Sequence, residues 1–343
     1  MKNVFLLVLA IIILNCNLNA QWEQCNMPNS YAFYDLLTVG DKIYAGSYTS
    51  ALYLSTNAGK DWDNIIDTSG IIGILCIANY EDKIFIGTAS GVYYTTNDGV
   101  TWINANIGIS DYVIFSLFIN EKYIFASTQG KGLLRSSDLG QSWEQVNDIK
   151  SDSWIYSIVL YDNKILANAS YQGFMCSSDN GETWTAIDTT LANFGVYDIV
   201  TTKDKIYVGT NKGIFYSTDS GYNWIELNNC LKDIFVRKII IEGTNFTLAT
   251  NKGIYFSTDN GISWLEQVLP NVDIRCITKC GSNLYAGTFL KGLMMSSDNG
   301  ETWTNIYKGL PTQLISCFTD NGSNLFATAS NFGVLKSSDN GNV

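Results

Sequence analysis

Short apolar runs rich in β-branched and aromatic residues follow one another along almost the whole chain, separated by turns rich in Gly, Asn and Asp. The stretch 196–227 shows the pattern in full, with four runs: Tyr197–Val200, Ile206–Thr210, Ile214–Ser217 and Trp224–Leu227. None of them has helical periodicity, and their lengths suit strands. The pattern predicts four short antiparallel strands joined by hairpins, with Gly213 able to take the positive φ of a tight turn.

A second pattern, the phrase S/T-x-D/N-x-G, recurs between the third and fourth run of each unit. It occurs eight times, and in seven copies a Trp follows three residues after the Gly. These tryptophans recur every 39 to 41 residues: Trp62, Trp102, Trp143, Trp184, Trp224, Trp264 and Trp303. A period in this range is typical of solenoids, propellers and repeat arrays. With four strands per unit, it predicts an all-β chain folded as a β-propeller.

The residue types of the phrase suit a structural turn. Ser, Thr and Asp can bond neighbouring backbone groups, Gly supplies a conformation that other residues resist, and Trp can cover the turn. The first two copies carry Asn57 and Asn97 in place of Asp, which a structural turn tolerates. We therefore expect a structural role for the phrase rather than a catalytic or metal-binding one.

The phrase closely resembles the Asp-box, or BNR repeat, of a β-propeller superfamily. That superfamily includes sialidases, sortilin-type receptors, xyloglucan-cleaving glycosidases and the photosystem II stability and assembly factor. The resemblance covers essentially all of residues 21–343 and implies a single propeller of four-stranded antiparallel blades. It says little about function, because those proteins do unrelated things with one scaffold.

The two ends of the repeat series bear on the number of blades. The last copy, Ser337–Gly341, stops short of its Trp, while Trp22 lies 40 residues before Trp62. The simplest closure lets the Trp22 segment supply the last strand of the last blade, which removes the free edges of the ring. This predicts eight blades, with the N- and C-terminal segments closing the ring. A chain that continues into further repeats is the alternative.

The first twenty residues have the character of a secretory signal peptide. Lys2 is followed by an apolar run at 4–14 that is too short to span a membrane, and the small residue Ala20 precedes the expected cleavage point. The expected domains are therefore a signal peptide at 1–20 and an Asp-box propeller at 21–343.

A lipoprotein anchor at Cys16 is an alternative fate for the leader, although Asn15 before it fits poorly. In either case we expect a secreted or periplasmic protein, or one at the cell surface. No other apolar run approaches membrane length, so no spanning segment is expected.

Charge narrows the range of partners. The chain has 21 Lys and Arg against 32 Asp and Glu, and loss of Lys2 with the leader gives 20 − 32 = −12. An acidic protein without a basic tail is a poor candidate for nucleic-acid binding through phosphate contacts. We expect a monomer that binds no nucleic acid.

The sequence holds no His and no C-x-x-C pair. This disfavours the usual zinc sites and every His-dependent triad, so no cofactor, metal or catalytic residue is expected. The eight cysteines become seven after cleavage, which leaves at least one unpaired within the chain. Cys276 and Cys317 are either a disulfide or two buried thiols that behave as small hydrophobes.

The resemblance also implies a ligand face, because in such propellers ligands bind opposite the Asp-box turns. Alignment of the first strands defines a ring position: Asp35, Cys76, Ser116, Ser157, Asp198, Lys238, Cys276 and Cys317. The residue after it is apolar in every unit, as an innermost strand packed on one side requires. The residue before it is Tyr34, Leu75, Phe115, Tyr156, Tyr197, Arg237, Arg275 or Ser316, in unit order. Asp198 and Lys238 should form an ion pair with a structural role.

Two arginines, Arg237 and Arg275, fall at equivalent positions of units six and seven, near the mouth of the central channel. Neighbouring turns of units five to seven add Lys212, Lys252 and Lys291. In an acidic protein such a basic sector is a candidate anion site, and Arg suits a carboxylate. The alternative is that the lysines only belong to hairpin turns and that the arginines pair with Asp233 and Asp273.

Aromatic residues add a second component to the predicted ligand face: Trp154, Tyr156, Tyr171, Phe194, Tyr197 and Phe289. Exposed aromatics beside a groove suit sugar or protein recognition. Aromatics that merely cover the top of the propeller are the alternative.

Catalysis is disfavoured by the residues that the chain lacks. The resemblance implies that a sialidase needs three arginines around the substrate carboxylate and an Arg-Ile-Pro motif. The chain has three arginines in all and no such motif, and Arg135 lies beside an Asp-box turn on the other face. A glycosidase needs two carboxyls roughly 5–9.5 Å apart, whereas Asp35 and Asp198 match in register but lie across an eight-bladed ring.

The remaining acids of the predicted ligand face have no compelling partner: Asp111, Asp152, Asp233 and Asp273. The sequence therefore favours an exported, non-catalytic propeller scaffold that binds a protein or glycan ligand, anionic if the basic sector is the site. A glycoside hydrolase of the xyloglucanase or sialidase-like kind is the alternative.

Overall fold

The computed structural model shows a propeller of eight antiparallel blades arranged in a ring. The structure describes residues 23–25, 33–47, 51–57, 61–66, 71–109, 112–151, 153, 155, 157–227, 231–265, 268–280, 282–289, 291–305, 315–322, 324–329 and 333–337. The predicted signal peptide, Cys16, Trp22 and most of the last Asp-box phrase lie outside these residues. Among the described residues, no helix is long and apolar enough to cross a membrane.

Blades one to four each contain four strands in consecutive order. Their strands are β2 (Phe33–Val39), β3 (Lys42–Ser47), β4 (Ala51–Ser55), β5 (Asp63–Asn64), β6 (Ile74–Tyr80), β7 (Lys83–Thr88), β8 (Gly91–Thr95), β9 (Ile103–Asn104), β10 (Ile114–Ile119), β11 (Ile124–Thr128), β12 (Gly132–Ser136), β13 (Glu144–Gln145), β14 (Ile158–Tyr161), β15 (Lys164–Ala169), β16 (Gly173–Ser177) and β17 (Thr185–Asp188).

Blades five to eight continue the series, and the first strand of the chain joins the last blade. Their strands are β18 (Val196–Thr201), β19 (Ile206–Thr210), β20 (Gly213–Ser217), β21 (Ile225–Glu226), β22 (Val236–Glu242), β23 (Asn245–Thr250), β24 (Gly253–Ser257), β25 (Ile274–Cys280), β26 (Asn283–Thr288), β27 (Leu293–Ser296), β28 (Thr304–Asn305), β29 (Ile315–Asp320), β30 (Leu325–Ala329), β31 (Gly333–Ser337) and β1 (Glu23–Gln24). The four strands predicted for the fifth unit agree with β18–β21 to within one residue at each end.

The predicted closure of the ring by the two ends of the chain is confirmed. β1 pairs antiparallel with β31, with Glu23 opposite Lys336, so the N-terminal segment forms the fourth strand of blade eight. The Cys25 N–H donates to the Val334 carbonyl over 2.9 Å. β2 of blade one also contacts β29 of blade eight. Because the last blade takes strands from both ends, the ring is closed by hydrogen bonds as well as by packing.

Blade six departs from the four-strand pattern in its outermost strand. Its regular sheet contains β22, β23 and β24. The fourth position is held by an isolated bridge in which the backbones of Ile254 and Val268 exchange two hydrogen bonds of 2.9 and 3.0 Å. The Leu265 N–H also donates to the Phe256 carbonyl over 2.8 Å. On either side of residues 266–267, which lie outside the described part of the chain, Leu265 and Val268 therefore bond to β24 as a fourth strand would.

The core is divided among eight apolar clusters, and each cluster is shared by two neighbouring blades. The middle of the second strand supplies a large buried aromatic residue in seven blades: Tyr44, Phe85, Phe125, Tyr207, Phe246, Tyr285 and Phe326. Burial of one such side chain contributes about 1.5–3 kcal/mol. The cluster between blades eight and one includes Cys25, Ile43 and Phe326, so the closure is as apolar as the other interfaces.

The Asp-box phrase holds its own turn, as blade six illustrates. The Ser257 hydroxyl donates to Asp259 over 2.7 Å and accepts the Gly261 N–H over 2.8 Å. Asp259 also accepts the Ser263 N–H over 2.9 Å. The hydroxyl and then the N–H of Ser263 lower the pKa of Asp259 to about 2. These contacts give the phrase a structural role.

The tryptophans that follow the phrase join the blades. The indole N–H of Trp102 donates to the Ile65 carbonyl of the preceding blade over 2.8 Å. Trp264 makes the same bond to the Leu227 carbonyl over 2.9 Å. Each of these rings packs against the apolar cluster between its own blade and the preceding one. Trp184 and Trp303 pack in the same way but donate to the carbonyls of Gly181 and Gly300 in their own turns, so the contact that the regular spacing records is the packing of the ring.

Candidate functional site

The antiparallel order of strands divides the turns between two faces. The Asp-box turns and the turns between first and second strands lie on one face, here called the Asp-box face. The turns between second and third strands, and the segments that enter each first strand, lie on the other, here called the ligand face. Arg135 belongs to the Asp-box face, as expected, because it donates to the carbonyls of Gly181 and Glu182 in the next Asp-box turn.

Seven of the eight first strands carry a β-bulge near their entry from the ligand face, as far as the described residues show. In blade five the pairing register shifts between Val196 and Asp198, which makes Tyr197 the extra residue. The same shift makes Arg237 the extra residue in blade six and Arg275 in blade seven. A bulge turns a side chain away from the regular alternation of the strand and often lies beside a functional site. The sequence alignment placed these residues at equivalent positions, directly before the ring position, but missed the bulge.

The ring position itself is confirmed in six blades by strand pairing. Asp35 lies opposite Gly46, Asp198 opposite Gly209, and Lys238 opposite Ala249. Ser116, Cys76 and Cys276 occupy the same register in their blades. Periodic alternation was therefore enough to align the innermost strands.

Arg237, Asp273 and Arg275 form a compact charged group on the ligand face. The Nε and Nη2 groups of Arg237 donate to the two oxygens of Asp273 over 3.1 and 3.2 Å. Arg275 Nη2 lies 3.0 Å from Asp273 Oδ2. The side chains of Arg237, Arg275 and Asp273 are 16%, 34% and 25% exposed. Two guanidinium groups share one carboxylate, so the group retains one net positive charge.

Aromatic rings flank both guanidinium groups. Arg275 lies 4.6 Å from the centre of the Phe289 ring. Arg237 lies 5.8 Å from the ring of Tyr197 and 5.9 Å from that of Phe235. The Tyr197 and Phe235 rings stack with their centres 6.0 Å apart. Tyr197, Phe235, Arg237, Asp273, Arg275 and Phe289 therefore form one continuous surface over blades five to seven, here called the central cluster.

The turns between second and third strands hold the entry segments in place. The Phe235 N–H donates to the Asn251 side chain over 2.9 Å, and the Asn251 N–H returns a bond to the Phe235 carbonyl over 3.1 Å. Phe289 takes the corresponding place in blade seven, where its N–H donates to the Asp273 carbonyl over 2.9 Å. The change from Asn to Phe keeps the backbone bond and adds the ring beneath Arg275. Phe235 was missed from the sequence, since it is one aromatic residue among many.

The three candidate lysines do not share the environment of the arginines. The backbone N–H groups of Lys212, Lys252 and Lys291 each donate to the Thr hydroxyl that begins their turn, over 2.8–3.0 Å. The Lys212 ammonium group pairs with Asp233 over 2.6 Å, and this bond lowers the pKa of Asp233. These backbone bonds are the ones that the turn interpretation expects of the three lysines. The acid partner of both arginines is Asp273, while Asp233 pairs with Lys212.

The predicted aromatic residues are dispersed. Trp154, Tyr156, Asp111 and Asp152 lie outside the described residues. Tyr171 is 65% exposed on a turn of blade four, away from the arginines in blade order. Phe194 packs on Phe215 with ring centres 5.6 Å apart, as part of the core between blades four and five. Only Tyr197 and Phe289 of the predicted set are placed in the central cluster by described contacts.

The predicted ion pair between Asp198 and Lys238 is present. Lys238 Nζ lies 2.8 Å from Asp198 Oδ1, and the Ile239 N–H donates to Asp198 Oδ2 over 2.8 Å. Asp35 accepts the corresponding Ile77 N–H of blade two over 2.7 Å. Both aspartates therefore join neighbouring blades, at ring positions four blades apart. This arrangement does not bring them together as a pair of glycosidase carboxyls.

Cys276 and Cys317 are both free thiols. The Cys276 thiol donates to the Ile315 carbonyl over 3.6 Å, and the Cys317 sulfur lies 3.2 Å from the Thr328 hydroxyl. Burial, followed by the nearby charge of Asp35, raises the pKa of Cys317 to about 12. The buried-thiol alternative is therefore the one that the structure supports. Among the described residues, no group of three or more Cys, Asp or Glu side chains is arranged to hold a metal ion.

Comparison with known proteins identifies the fold through structure alone. No protein-family model matches the chain, and no curated protein sequence matches it. The computationally designed Ika8 protein is similar with a TM-score of 0.72 and 9% identity, over 93% of this chain and 100% of that chain. YCF48 bound to D1 peptide is similar with a TM-score of 0.58 and 15% identity, over 92% of this chain and 96% of that chain.

A glycoside hydrolase is also among the similar structures. The GH74 xyloglucanase from Xanthomonas campestris has a TM-score of 0.56 and 14% identity, over 93% of this chain and 54% of that chain. At such identities the similarity concerns the fold. The chain is an eight-bladed β-propeller, and the propellers similar to it in fold include both a protein solved with a bound peptide and a xyloglucanase.

Proposed function

We propose that the chain is an exported, non-catalytic scaffold that binds a protein or glycan ligand on its ligand face, over blades five to seven. The observation that carries this proposal is the central cluster. Its two guanidinium groups lie against aromatic rings and share a single carboxylate. Tyr197 and Phe289 are 39% and 41% exposed, so they offer apolar area beside the positive charge.

The net charge of the whole protein is opposite in sign to that of the central cluster. A net charge of −12 after loss of the leader makes a positive region on the ligand face stand out electrostatically, and such a region guides an anionic group towards it. Arginine held flat by an aromatic ring keeps its hydrogen-bond donors in a fixed plane. The central cluster is therefore suited to recognition of an anionic group next to an apolar one.

The similar structures support the scaffold interpretation by analogy. YCF48, a propeller of similar fold, has been solved with a bound peptide. At 15% identity this similarity supports only the capacity of such a fold to hold a peptide. The GH74 xyloglucanase is almost twice the length of the region that this chain matches, and fold similarity alone does not transfer its activity.

Four of the six acids that sequence analysis considered for catalysis are engaged in bonds within the protein, and Asp111 and Asp152 lie outside the described residues. Asp233 and Asp273 are ion-paired with cations, and Asp35 and Asp198 bond the backbone of the next blade. A general acid for glycoside hydrolysis needs a carboxyl that is free to give its proton to the leaving group. The engagement of these four carboxyls therefore favours a binding function over glycoside hydrolysis.

The test is a binding screen on the mature chain from Gln21, with a glycan array and with proteins of the exported fraction. The Arg237→Ala/Arg275→Ala double variant should bind the ligand at least about tenfold more weakly, since hot-spot arginines commonly contribute about 2 kcal/mol or more to the free energy of binding. The Lys42→Ala/Lys83→Ala double variant removes two cations from the Asp-box face and should bind as the unaltered protein does. Equal loss in both variants would contradict the assignment of the site, and no ligand in either screen would contradict the scaffold function. Mass spectrometry of the exported protein tests the expected N-terminus at Gln21.

A further inference from the structure

We infer that Asp273 occupies the place of a ligand carboxylate between Arg237 and Arg275, so that the central cluster takes a carboxylate-bearing peptide in competition with its own aspartate. This inference rests on the proposed function and names the chemistry of the ligand. It also assigns Asp273 as the residue that sets the affinity of the site.

The first argument is the balance of charges and donors. Two guanidinium groups carry ten N–H donors between them, and Asp273 accepts from Arg237 Nε and Nη2 while lying 3.0 Å from Arg275 Nη2. Arg275 Nε is buried and has no hydrogen-bond partner among the described residues. A ligand carboxylate that replaces Asp273 between the two arginines could use the donors that the aspartate engages together with those that it leaves unused.

The second argument is that the arginines are held independently of Asp273. Phe289 lies under Arg275, and Tyr197 and Phe235 lie beside Arg237. Arg237 and Arg275 also stand on bulges of neighbouring first strands, which are packed against each other. The pair of guanidinium groups therefore stays in place when the carboxylate between them changes.

The third argument is that the Asp273 side chain can leave without disturbing the backbone. Its carbonyl is fixed by the Phe289 N–H over 2.9 Å, whereas the carboxylate is bonded only through Arg237 and Arg275 in the described contacts. Rotation about χ1 is the movement that would release the carboxylate from the two arginines. A ligand carboxylate can then bind between the same two guanidinium groups, in the place that the aspartate has left.

A peptide fits the central cluster better than a sugar acid. Sugar hydroxyls need acceptors as well as donors, and the one carboxylate of the central cluster is already engaged by two arginines. Exposed Tyr197 and Phe289 instead offer rings for an apolar side chain next to the bound carboxylate. The expected ligand is a peptide that places a carboxylate beside an aromatic residue, either at its C-terminus or as a Glu or Asp side chain.

Calorimetry on the chain from Gln21 with three acetylated peptides tests this inference. One peptide ends in Phe with a free carboxylate, the second is the same peptide with a terminal amide, and the third is amidated but carries Glu before Phe. The first or the third should bind, which identifies the source of the carboxylate, and the second should not. Glucuronic acid serves as the sugar-acid probe and should bind more weakly than the better peptide.

The Asp273→Asn variant keeps the size of the side chain and removes its charge. If the aspartate occupies the clamp in about nine molecules of ten, this variant should bind the carboxylate peptide about tenfold more tightly. Asp233→Asn removes a nearby acid that pairs with Lys212 instead, and it should leave the affinity unchanged. A thermal melt of both variants establishes that they are folded.

The outcomes separate this inference from the proposed function. Equal or weaker binding by Asp273→Asn would overturn the role of Asp273, even if a ligand found in the wider screen still depends on the two arginines. Equal binding of the acid and amide peptides, or stronger binding of glucuronic acid, would overturn the ligand class. If the unaltered chain binds neither the peptides nor any ligand of the wider screen, the proposed function itself is contradicted.

Discussion

Asp35 on blade one and Asp198 on blade five occupy the same ring position on opposite sides of the propeller. Each accepts an N–H from the first strand of the following blade, Ile77 in one case and Ile239 in the other. They differ in the neighbour at the ring position of that blade. Blade six supplies Lys238, whose ammonium group lies 2.8 Å from Asp198, whereas blade two supplies Cys76.

This single difference changes the electrostatic surroundings of the two aspartates. The Asp198 side chain is 10% exposed, and its cation partner is 48% exposed, so the pair joins a buried carboxylate to a half-solvated ammonium group. No described salt bridge involves Asp35. Burial raises the pKa of Asp35 to about 6 against the opposing effect of bonds from Ile77 and Leu36. The same hydrogen-bond geometry thus comes with a cation partner at Asp198, whereas at Asp35 burial disfavours the charged form of the carboxyl.

The largest expected effect comes from removal of the paired aspartate. Asp198→Ala leaves the buried Ile239 N–H without its acceptor and Lys238 without its partner, which should lower the free energy of unfolding by about 3 kcal/mol. Asp198→Asn keeps an acceptor for Ile239 and should cost less. Urea unfolding at pH 7 measures both. A smaller loss for Ala than for Asn would show that the N–H bond does not join the blades as described.

Removal of the unpaired aspartate should act in the opposite direction. A carboxyl whose pKa is about 6 in the folded protein and about 3.9 when unfolded favours folding in its protonated form. Its stabilising proton is present below pH 4 and is lost as the pH rises to 6, after which the cost of the charge is complete. That cost is on the order of 2–3 kcal/mol. Asp35→Asn should therefore raise stability at pH 8 by up to about 2 kcal/mol and change it little at pH 4.

The measurement is the difference in unfolding free energy between Asp35→Asn and the unaltered chain from pH 4 to pH 8. Taking the difference removes the titration of the other acids, which both proteins share. A variant that is less stable than the parent at pH 8 would mean that the hydrogen bonds to the carboxylate outweigh its burial. Asp35→Ala is the companion variant, because it removes the acceptor for Ile77 together with the charge.

The comparison also shows what the sequence could and could not predict. Repetition at 39 to 41 residues predicted the propeller, and Trp22 predicted its closure, because both depend on contacts that recur in every blade. The ring position was predicted for the same reason, and with it the pair of Asp198 and Lys238. Periodicity describes what the blades share, so features of one blade alone remain hidden from it.

The candidate site is built mainly from such individual features. The bulge beneath Arg237 depends on pairing geometry, which a single sequence does not display. The position of Asp273 between two arginines depends on where an irregular entry segment crosses the ligand face. Phe289 stands where blades five and six have Asn211 and Asn251, a difference that gains meaning only when Arg275 is seen beside its ring. The arginines, a pairing with Asp273, and the aromatic residues Tyr197 and Phe289 were therefore predicted. The sharing of Asp273 by both arginines, the ring of Phe235 and the bulges came from the structure.

The smallest expected effect on the free energy of unfolding comes from giving blade six the ring-position residue of blade two. Lys238→Cys places on blade six the residue that blade two has at the same ring position, and it leaves the Ile239 N–H bond to Asp198 in place. We expect a loss of about 1–2 kcal/mol at pH 8, since the ammonium partner is only half-buried. Lys238→Arg, which keeps a cation at the position, is the matched control and should show a smaller loss. If Lys238→Cys and Lys238→Arg unfold alike in urea at pH 8, the difference between the two ring positions lies in their packing rather than in the missing cation.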